Sequence, residues 1–169
     1  MALKGESNGI IEQQGYFVKY TGMGLISAAQ ICTEEILNHK PDAVFNFGTA
    51  GSTHFSVGDL IEITQFCQRG DVLPQTNSFI RTSAITNLKT GFCGSADFVE
   101  VAKNTNQYNV YDMEAFAMAQ VCRNHQIPFH CFKLITDRSD EQLKQDWKKN
   151  LEVSRYRWVD LIQILDKGL

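Results

Sequence analysis

Asn109-Val-Tyr-Asp-Met-Glu-Ala-Phe-Ala-Met-Ala-Gln-Val-Cys122 decides the fold. A short β-type run, Val110 and Tyr111, turns here into a helix. Residues 115 to 122 of that helix carry a single polar side chain, Gln120, so the helix must be buried. Two carboxylates, Asp112 and Glu114, stand at the junction. An acid at the first turn of a buried helix is costly unless something pairs with it, or the helix N-terminus and a ligand hold it. The pattern recurs downstream, where Phe129-His-Cys-Phe-Lys-Leu-Ile135 reads as an apolar strand running into Thr136-Asp137. Two carboxylates at the ends of neighbouring buried elements suggest acid/base chemistry on a small, polar substrate.

Working outward, Tyr16 to Tyr20 alternates as a strand and ends in Thr21-Gly-Met-Gly24. Leu25, Ala28, Ala29, Cys32 and Ile36 mark one face of a helix that stops at Asn38-His-Lys-Pro41. Ala43 to Phe47 is a buried strand running into a loop, Gly48-Thr-Ala-Gly-Ser52. Gly58 to Cys67 alternates as a longer strand, and Gln68 to Lys89 reads as a loop or lid with little regular structure. Thr90 to Cys93 is a short strand ending in Gly94-Ser-Ala-Asp97. A long last helix follows, with Leu143, Trp147, Leu151, Trp158, Leu161, Ile162 and Leu165 on its buried face and Asp140 and Glu141 at its start. Strands alternating with helices predict an α/β fold, a three-layer α/β/α sandwich with a mixed, largely parallel central sheet. Gly48–Ser52, Ser95–Asp97, Asp112–Glu114 and Thr136–Asp137 all follow carboxyl ends of strands, the edge where such sheets bind ligands.

A chain of 169 residues is expected to form one domain, residues 1–169, burying roughly 70% of its unfolded surface. With 43% hydrophobic and 21% charged residues and a net charge of −3, no nucleic-acid partner and no membrane span is expected. Five cysteines without C-x-x-C spacing read as core residues of a cytoplasmic protein. His54, His125 and His130 lack metal-ligand spacing, so no metal site is expected. Gly22-Met-Gly24-Leu-Ile-Ser27 raises a dinucleotide fingerprint. Its third glycine is replaced by Ser27, however, and the next strand ends in Asn46-Phe-Gly48 rather than an acid. A tight turn or a ligand-facing loop remain as readings of these glycines. Gly48-Thr-Ala-Gly-Ser52 is either a turn or a cradle of N–H groups for an oxyanion or hydroxyl.

Tyr20-Thr-Gly-Met-Gly24, Lys40-Pro-Asp-Ala-Val-Phe-Asn-Phe-Gly-Thr-Ala-Gly51, Val57-Gly-Asp59, Asp112-Met-Glu-Ala115 and Leu134-Ile-Thr-Asp137 together resemble the nucleoside phosphorylase/nucleosidase superfamily, on its 5′-methylthioadenosine/S-adenosylhomocysteine nucleosidase-like side. The resemblance implies a purine nucleosidase that hydrolyses the N-glycosidic bond of an adenine nucleoside, without a cofactor, as a homodimer. A phosphate-dependent phosphorylase and a non-catalytic nucleoside binder are the alternatives. By the same resemblance, Glu114 binds ribose hydroxyls beside Met113, Asp137 protonates the purine at N7, and Glu6 activates water. Thr49, Ala50, Gly51, Ser95, Phe98, Lys133 and Thr136 complete the implied substrate site. Ala2-Leu-Lys-Gly-Glu6 resembles the end of the family's first strand, which is otherwise truncated, and a hairpin between Glu6 and Tyr16 is missing. Relatives carry Gly-Asp-x-Phe where this chain has Ala96-Asp97-Phe98, and often Arg where it has Lys133. The aromatic-rich stretch around Phe55 and Phe66 is expected to supply part of the dimer surface.

Overall fold

The computed structural model describes residues 1–70, 79–98, 108–138 and 143–168. Its elements run α1 (Lys4–Ser7), α2 (Leu25–His39), β1 (Val44–Gly51), β2 (Leu60–Gln68), β3 (Ile80–Arg81), β4 (Lys89–Ser95), β5 (Val110–Asp112), α3 (Ala115–His125), β6 (Phe129–Asp137) and α4 (Leu143–Gly168). The helices form where the apolar spacing puts them. α2 buries Ala28, Cys32 and Ile36, one face at successive turns, and stops where Lys40 turns left-handed and returns its N–H to Ile36 before Pro41. α3 buries Ala115, Met118, Ala119 and Cys122 and ends at a left-handed Gln126.

The expected sheet with helices is present, but its closure differs from an open sandwich. Six strands follow the order β3-β2-β4-β5-β1-β6, and β2 also pairs with β6, so five of them close on themselves. The sheet is mixed, as expected. β1–β6, β2–β4 and β4–β5 are parallel, whereas β1–β5, β2–β3 and β2–β6 are antiparallel. Hydrophobic alternation fixes which residues face inward but carries no information about which strands pair, which is why the closure of β2 on β6 does not follow from the sequence. One apolar cluster joins α2 and α3 to Ile61, Ile63, Phe66, Cys93, Cys131 and Ile135. A second joins Trp158, Leu161, Ile162 and Leu165 of α4 to Phe47, Phe132 and Leu134. Phe66 belongs to the first cluster, fully buried against Phe129, and offers no surface to a partner.

Other expectations need correction. Ala2–Glu6, read as the end of a strand, instead leads into a helical turn, Lys4–Ser7, closed by a left-handed Asn8. Tyr16–Tyr20 is not a strand. Its Lys19 carbonyl accepts the Met1 ammonium at 3.2 Å, and just beyond it Thr21 N–H reaches Met1 O (2.9 Å) and Gly22 N–H reaches Ala2 O (3.0 Å), too short a ladder to make one. Gly48–Gly51, read as a loop, continues β1 because it pairs with Lys133–Asp137. Part of the stretch 68–89 is also ordered. β3 pairs with β2, and buried Glu62 accepts hydrogen bonds from Ile85 N–H, Thr86 N–H and the Thr86 hydroxyl. Asp140 and Glu141 lie outside the described residues.

Trp158 ties the fold to the site. Its ring stacks on Phe47 with centroids 5.6 Å apart, and its Nε1 donates to the Glu6 carbonyl at 3.1 Å. Trp158→Ala is expected to lower stability by about 3–5 kcal/mol, and Trp158→Phe by much less, since it keeps the packing and loses one hydrogen bond. Urea denaturation of the two variants checks this.

Candidate active site

The carboxyl ends of four strands converge. Ser95 at the end of β4 stands opposite Asp112 at the end of β5, and Gly51 at the end of β1 stands opposite Tyr111 in an antiparallel contact. Between β1 and β6 the register is regular from Val44↔Phe129 to Ala50↔Ile135 and then slips, so that Gly51 faces Asp137 rather than Thr136. This bulge re-aims the last residues of β6 where the strand leaves the sheet.

The convergence encloses a cavity of about 270 Å³. Glu6, Glu114 and Asp137 line it, together with Met113, Thr49, Ala50, Gly51, Phe98 and Thr136, so nine of the expected site residues meet there. Two do not. Ser95 is buried behind the wall, its hydroxyl bonded to Asp112 Oδ1 and accepting the Phe116 N–H. Lys133 is also behind the wall, with Nζ 2.8 Å from Asp112 Oδ2 and both side chains nearly inaccessible. Arg69, Tyr111, Trp147 and Met23 line the cavity as well. Trp147 follows the helical apolar spacing of a core residue, yet its Nε1 donates to Thr49 Oγ1 at 3.0 Å.

The structure separates the two acids that the sequence offered together. Burial alone would push the Asp112 carboxyl up. Lys133, the Ser95 hydroxyl and the Ala115 N–H at 2.9 Å outweigh burial and hold it below the ordinary carboxylate range. Asp112 is thus an ionised structural acid that also caps α3. Lys133 stays charged by the converse balance, since burial opposes its charge while Asp112 and the neighbouring acidic groups raise its pKa well above the usual lysine value. Glu114 has weaker support. Its Oε1 accepts the Gly24 N–H at 3.0 Å at the start of α2. Burial first, and then the negative Asp112, raise its pKa to about 7, against the opposing pull of Lys133 and that N–H. Gly24 at φ +99° is what allows this approach, and a Cβ there would lie 2.7 Å from Asp97 Oδ1, which itself accepts the Leu25 N–H.

Glu6 is anchored although residues 1–5 form no strand. Its Oε1 accepts the Thr49 N–H (2.8 Å) and hydroxyl (3.0 Å), and its Oε2 accepts the Leu3 N–H (2.9 Å). The Asp137 side chain is buried, with Oδ2 3.1 Å from the Thr136 hydroxyl and its carbonyl receiving the Ser52 N–H. A larger cavity of about 370 Å³ lies toward the other end of β1. Its acids pair within its own wall, Glu35 with Lys19 and His39 and Asp166 with the Tyr16 hydroxyl.

The phosphorylase superfamily model matches residues 7–101 and 90–163, and the chain belongs to that family. Among characterised relatives, the 5′-methylthioadenosine/S-adenosylhomocysteine nucleosidase of Buchnera aphidicola from Schizaphis graminum is 27% identical over 188 residues, covering 90% of this chain and 79% of the relative. The enzyme of the same name from Bacillus pumilus is 24% identical, covering 92% and 82%. Among solved structures, the Helicobacter pylori nucleosidase of that name with butyl-thio-DADMe-Immucillin-A superposes at a TM-score of 0.85 with 22% identity, covering 98% of this chain and 95% of that one. Native futalosine hydrolase from the same organism matches at 0.85 with 21% identity and the same coverage. These likenesses show a shared fold.

Glu114 yields a pH prediction. Its folded-state pKa, about 7, lies above the ordinary 4.5. Its contribution to stability is therefore fully present below about pH 4.5 and is lost as pH rises through about 7. The melting temperature of the unliganded protein is expected to fall between those values, and to fall less in Glu114→Gln. Thermal melts across the range check it.

Proposed function

We propose that this chain is a purine nucleosidase that hydrolyses the N-glycosidic bond of an adenine nucleoside such as 5′-methylthioadenosine or S-adenosylhomocysteine. The observation that carries the reading is the meeting of Glu6, Glu114 and Asp137, from α1, the start of α3 and the end of β6, in one cavity of about 270 Å³. The names of the relatives point the same way. Cleaving this bond passes through an oxocarbenium-like state, which needs a proton for the leaving base, negative charge near the sugar and a base for water. Asp137 gives a proton to N7 as the C1′–N9 pair moves into the purine. Glu114, beside Met113, binds the ribose hydroxyls and, when ionised, stabilises the positive sugar. Water bonds to C1′ and loses its proton to Glu6. The products are free base and the sugar carrying a hydroxyl at C1′. Phe98 supplies a stacking face for the base.

Water rather than phosphate fits as the nucleophile. A phosphorylase needs a cationic clamp on its anion. Lys133 is spent on Asp112, Asn46 turns into the core, bonded to Met118 Sδ and the Cys131 thiol, and Arg69 shares the cavity with three carboxyl groups that would repel a phosphate. The same reading takes residues 1–169 as a single cytoplasmic nucleosidase domain acting as a homodimer. Ile26 and Leu37 on the outer face of α2, with Phe17 nearby, are 80%, 61% and 72% exposed and supply an apolar contact surface.

Incubation with 5′-methylthioadenosine is expected to release adenine at the same rate with and without inorganic phosphate. Phosphate-dependent release of a ribose 1-phosphate would replace the hydrolase with a phosphorylase. Asp137→Asn and Glu6→Gln are each expected to lower kcat by at least about 10²-fold in a folded protein. Glu114→Gln should affect kcat more than KM. Light scattering is expected to report a dimer for the wild type and a monomer for Ile26→Glu.

A further inference from the structure

Cys32 on α2 and Cys122 on α3 are 90 residues apart in sequence, yet their sulfurs stand 3.9 Å apart. The two helices run side by side in the same direction. The Gly24 N–H meets Glu114 Oε1 at their starts, and each cysteine follows its helix start by eight residues, about 12 Å along the axis. Ala28, Ala115 and Ala119 are buried in the same apolar cluster, and side chains this small let the two backbones come close. The other three cysteines are placed differently. Cys93 and Cys131 point their thiols at Asp112 Oδ1 and Asn46 Oδ1, and burial pushes Cys67 up to about 11.

A single buried thiol is ordinarily an inert core residue. This pair differs in access and in how its protons are held. Cys122 is fully buried, but Cys32 belongs to the wall of the larger cavity, about 370 Å³, which Lys19 and His39 also line. Those two side chains are half exposed, so the cavity meets solvent there and gives a small oxidant a way to Cys32. The contact between the sulfurs pulls the Cys32 thiol below its ordinary value, against the effect of burial. The same contact, with burial adding to it, pushes Cys122 up. The shared proton thus stays on Cys122, and Cys32, the sulfur on the cavity wall, is the one that becomes a nucleophile.

We propose that Cys32 and Cys122 form a site of reversible oxidation, at which a hydroperoxide converts the two thiols to a disulfide that fastens α2 to α3. The Cys32 thiolate bonds to one peroxide oxygen, the O–O bond breaks, and the other oxygen leaves as hydroxide and takes up a proton. Cys32 is then a sulfenic acid. The Cys122 sulfur bonds to the Cys32 sulfur, whose hydroxyl departs with the Cys122 proton as water. Two thiols are oxidised, one hydroperoxide is reduced, and no other reactant is needed. The sulfurs must approach from 3.9 Å to about 2.0 Å, which a side-chain rotation with a small helix shift supplies. The bond joins the helix that Glu114 starts to the helix whose leading Gly24 N–H holds the Glu114 carboxyl group.

The test treats the native protein with hydrogen peroxide, caps free thiols with N-ethylmaleimide and maps the peptides by mass without reduction. The peptides of Cys32 and Cys122 are expected to be joined, with Cys93 and Cys131 still thiols, and to separate with dithiothreitol. In Cys122→Ser, Cys32 should stop at the sulfenic acid and take up dimedone. In Cys32→Ser, Cys122 should remain a thiol. The oxidised wild type is expected to melt about 5 °C or more above the reduced one, because the bond closes a loop of 90 residues, and Cys122→Ser should show no such rise. Both thiols intact at a dose that fully oxidises the exposed Met23 would overturn the proposal. So would Cys32 joined to another cysteine, or oxidised to the sulfinic acid with no joined pair. A joined protein that melts no higher than the reduced one would mean that the bond forms outside the native packing, which also overturns it. Should the serine variants fail to fold, Cys32→Ala and Cys122→Ala replace them, and the wild-type map and melts decide by the same criteria.

Discussion

The ion pair between Lys133 and Asp112 spans β6 and β5, strands separated by β1, and lies behind the cavity wall at 2.8 Å. Removing either partner would leave the other charge buried and uncompensated, a loss of about 3–5 kcal/mol in comparable pairs. Its effects reach further than its own stability. Asp112 holds the first N–H of α3 and the Ser95 hydroxyl, so the pair fixes how β4, β5 and α3 meet. The lysine charge also sits behind a group of acids that would otherwise repel one another. Glu114, with burial and Asp112 raising its pKa, is kept near neutrality rather than far above it by that charge and the Gly24 N–H. The site can therefore hold acids in different protonation states side by side, which is the condition for dividing proton donation from charge stabilisation.

Much of this was legible in the chain because it is local. α2 and α3 lie where apolar spacing puts them, and Gly24 and Lys40-Pro41 mark the ends of α2. The clustering of Thr49–Gly51, Glu114 and Asp137 followed from strand ends meeting at one edge. What escaped is non-local. No pattern in β2 announces that it pairs with both β4 and β6, since an inward-facing residue looks the same on either side of a closed sheet. Glu62 in the middle of β2 reads as an exposed alternation position, yet it is buried and anchors Ile85 and Thr86.

Roles within the site were legible in part. Residue type alone could not say which of Asp112 and Glu114 is neutralised by a lysine and which faces the cavity. Lys133 and Ser95 carry the right chemistry to touch a substrate, but side-chain direction turns them toward Asp112 instead. Conversely, Trp147 looked like an ordinary core residue of α4, and only its distance from Thr49 shows that the last helix reaches the cavity.

The slip in register at the end of β6 makes the position of Asp137 a matter of counting. Side chains along a strand alternate between faces, and Asp137 stands opposite Gly51 because the bulge admits one residue more on β6 than on β1. A single-codon deletion between Leu134 and Asp137 would leave nearly every residue in place and turn the carboxylate to another face. A homologue carrying such a deletion would keep the Met-Glu and Asp letters in an alignment and present its acid from the place that Thr136 holds in the cavity wall. Gap placement at this strand end therefore tells which of two wall positions the acid occupies.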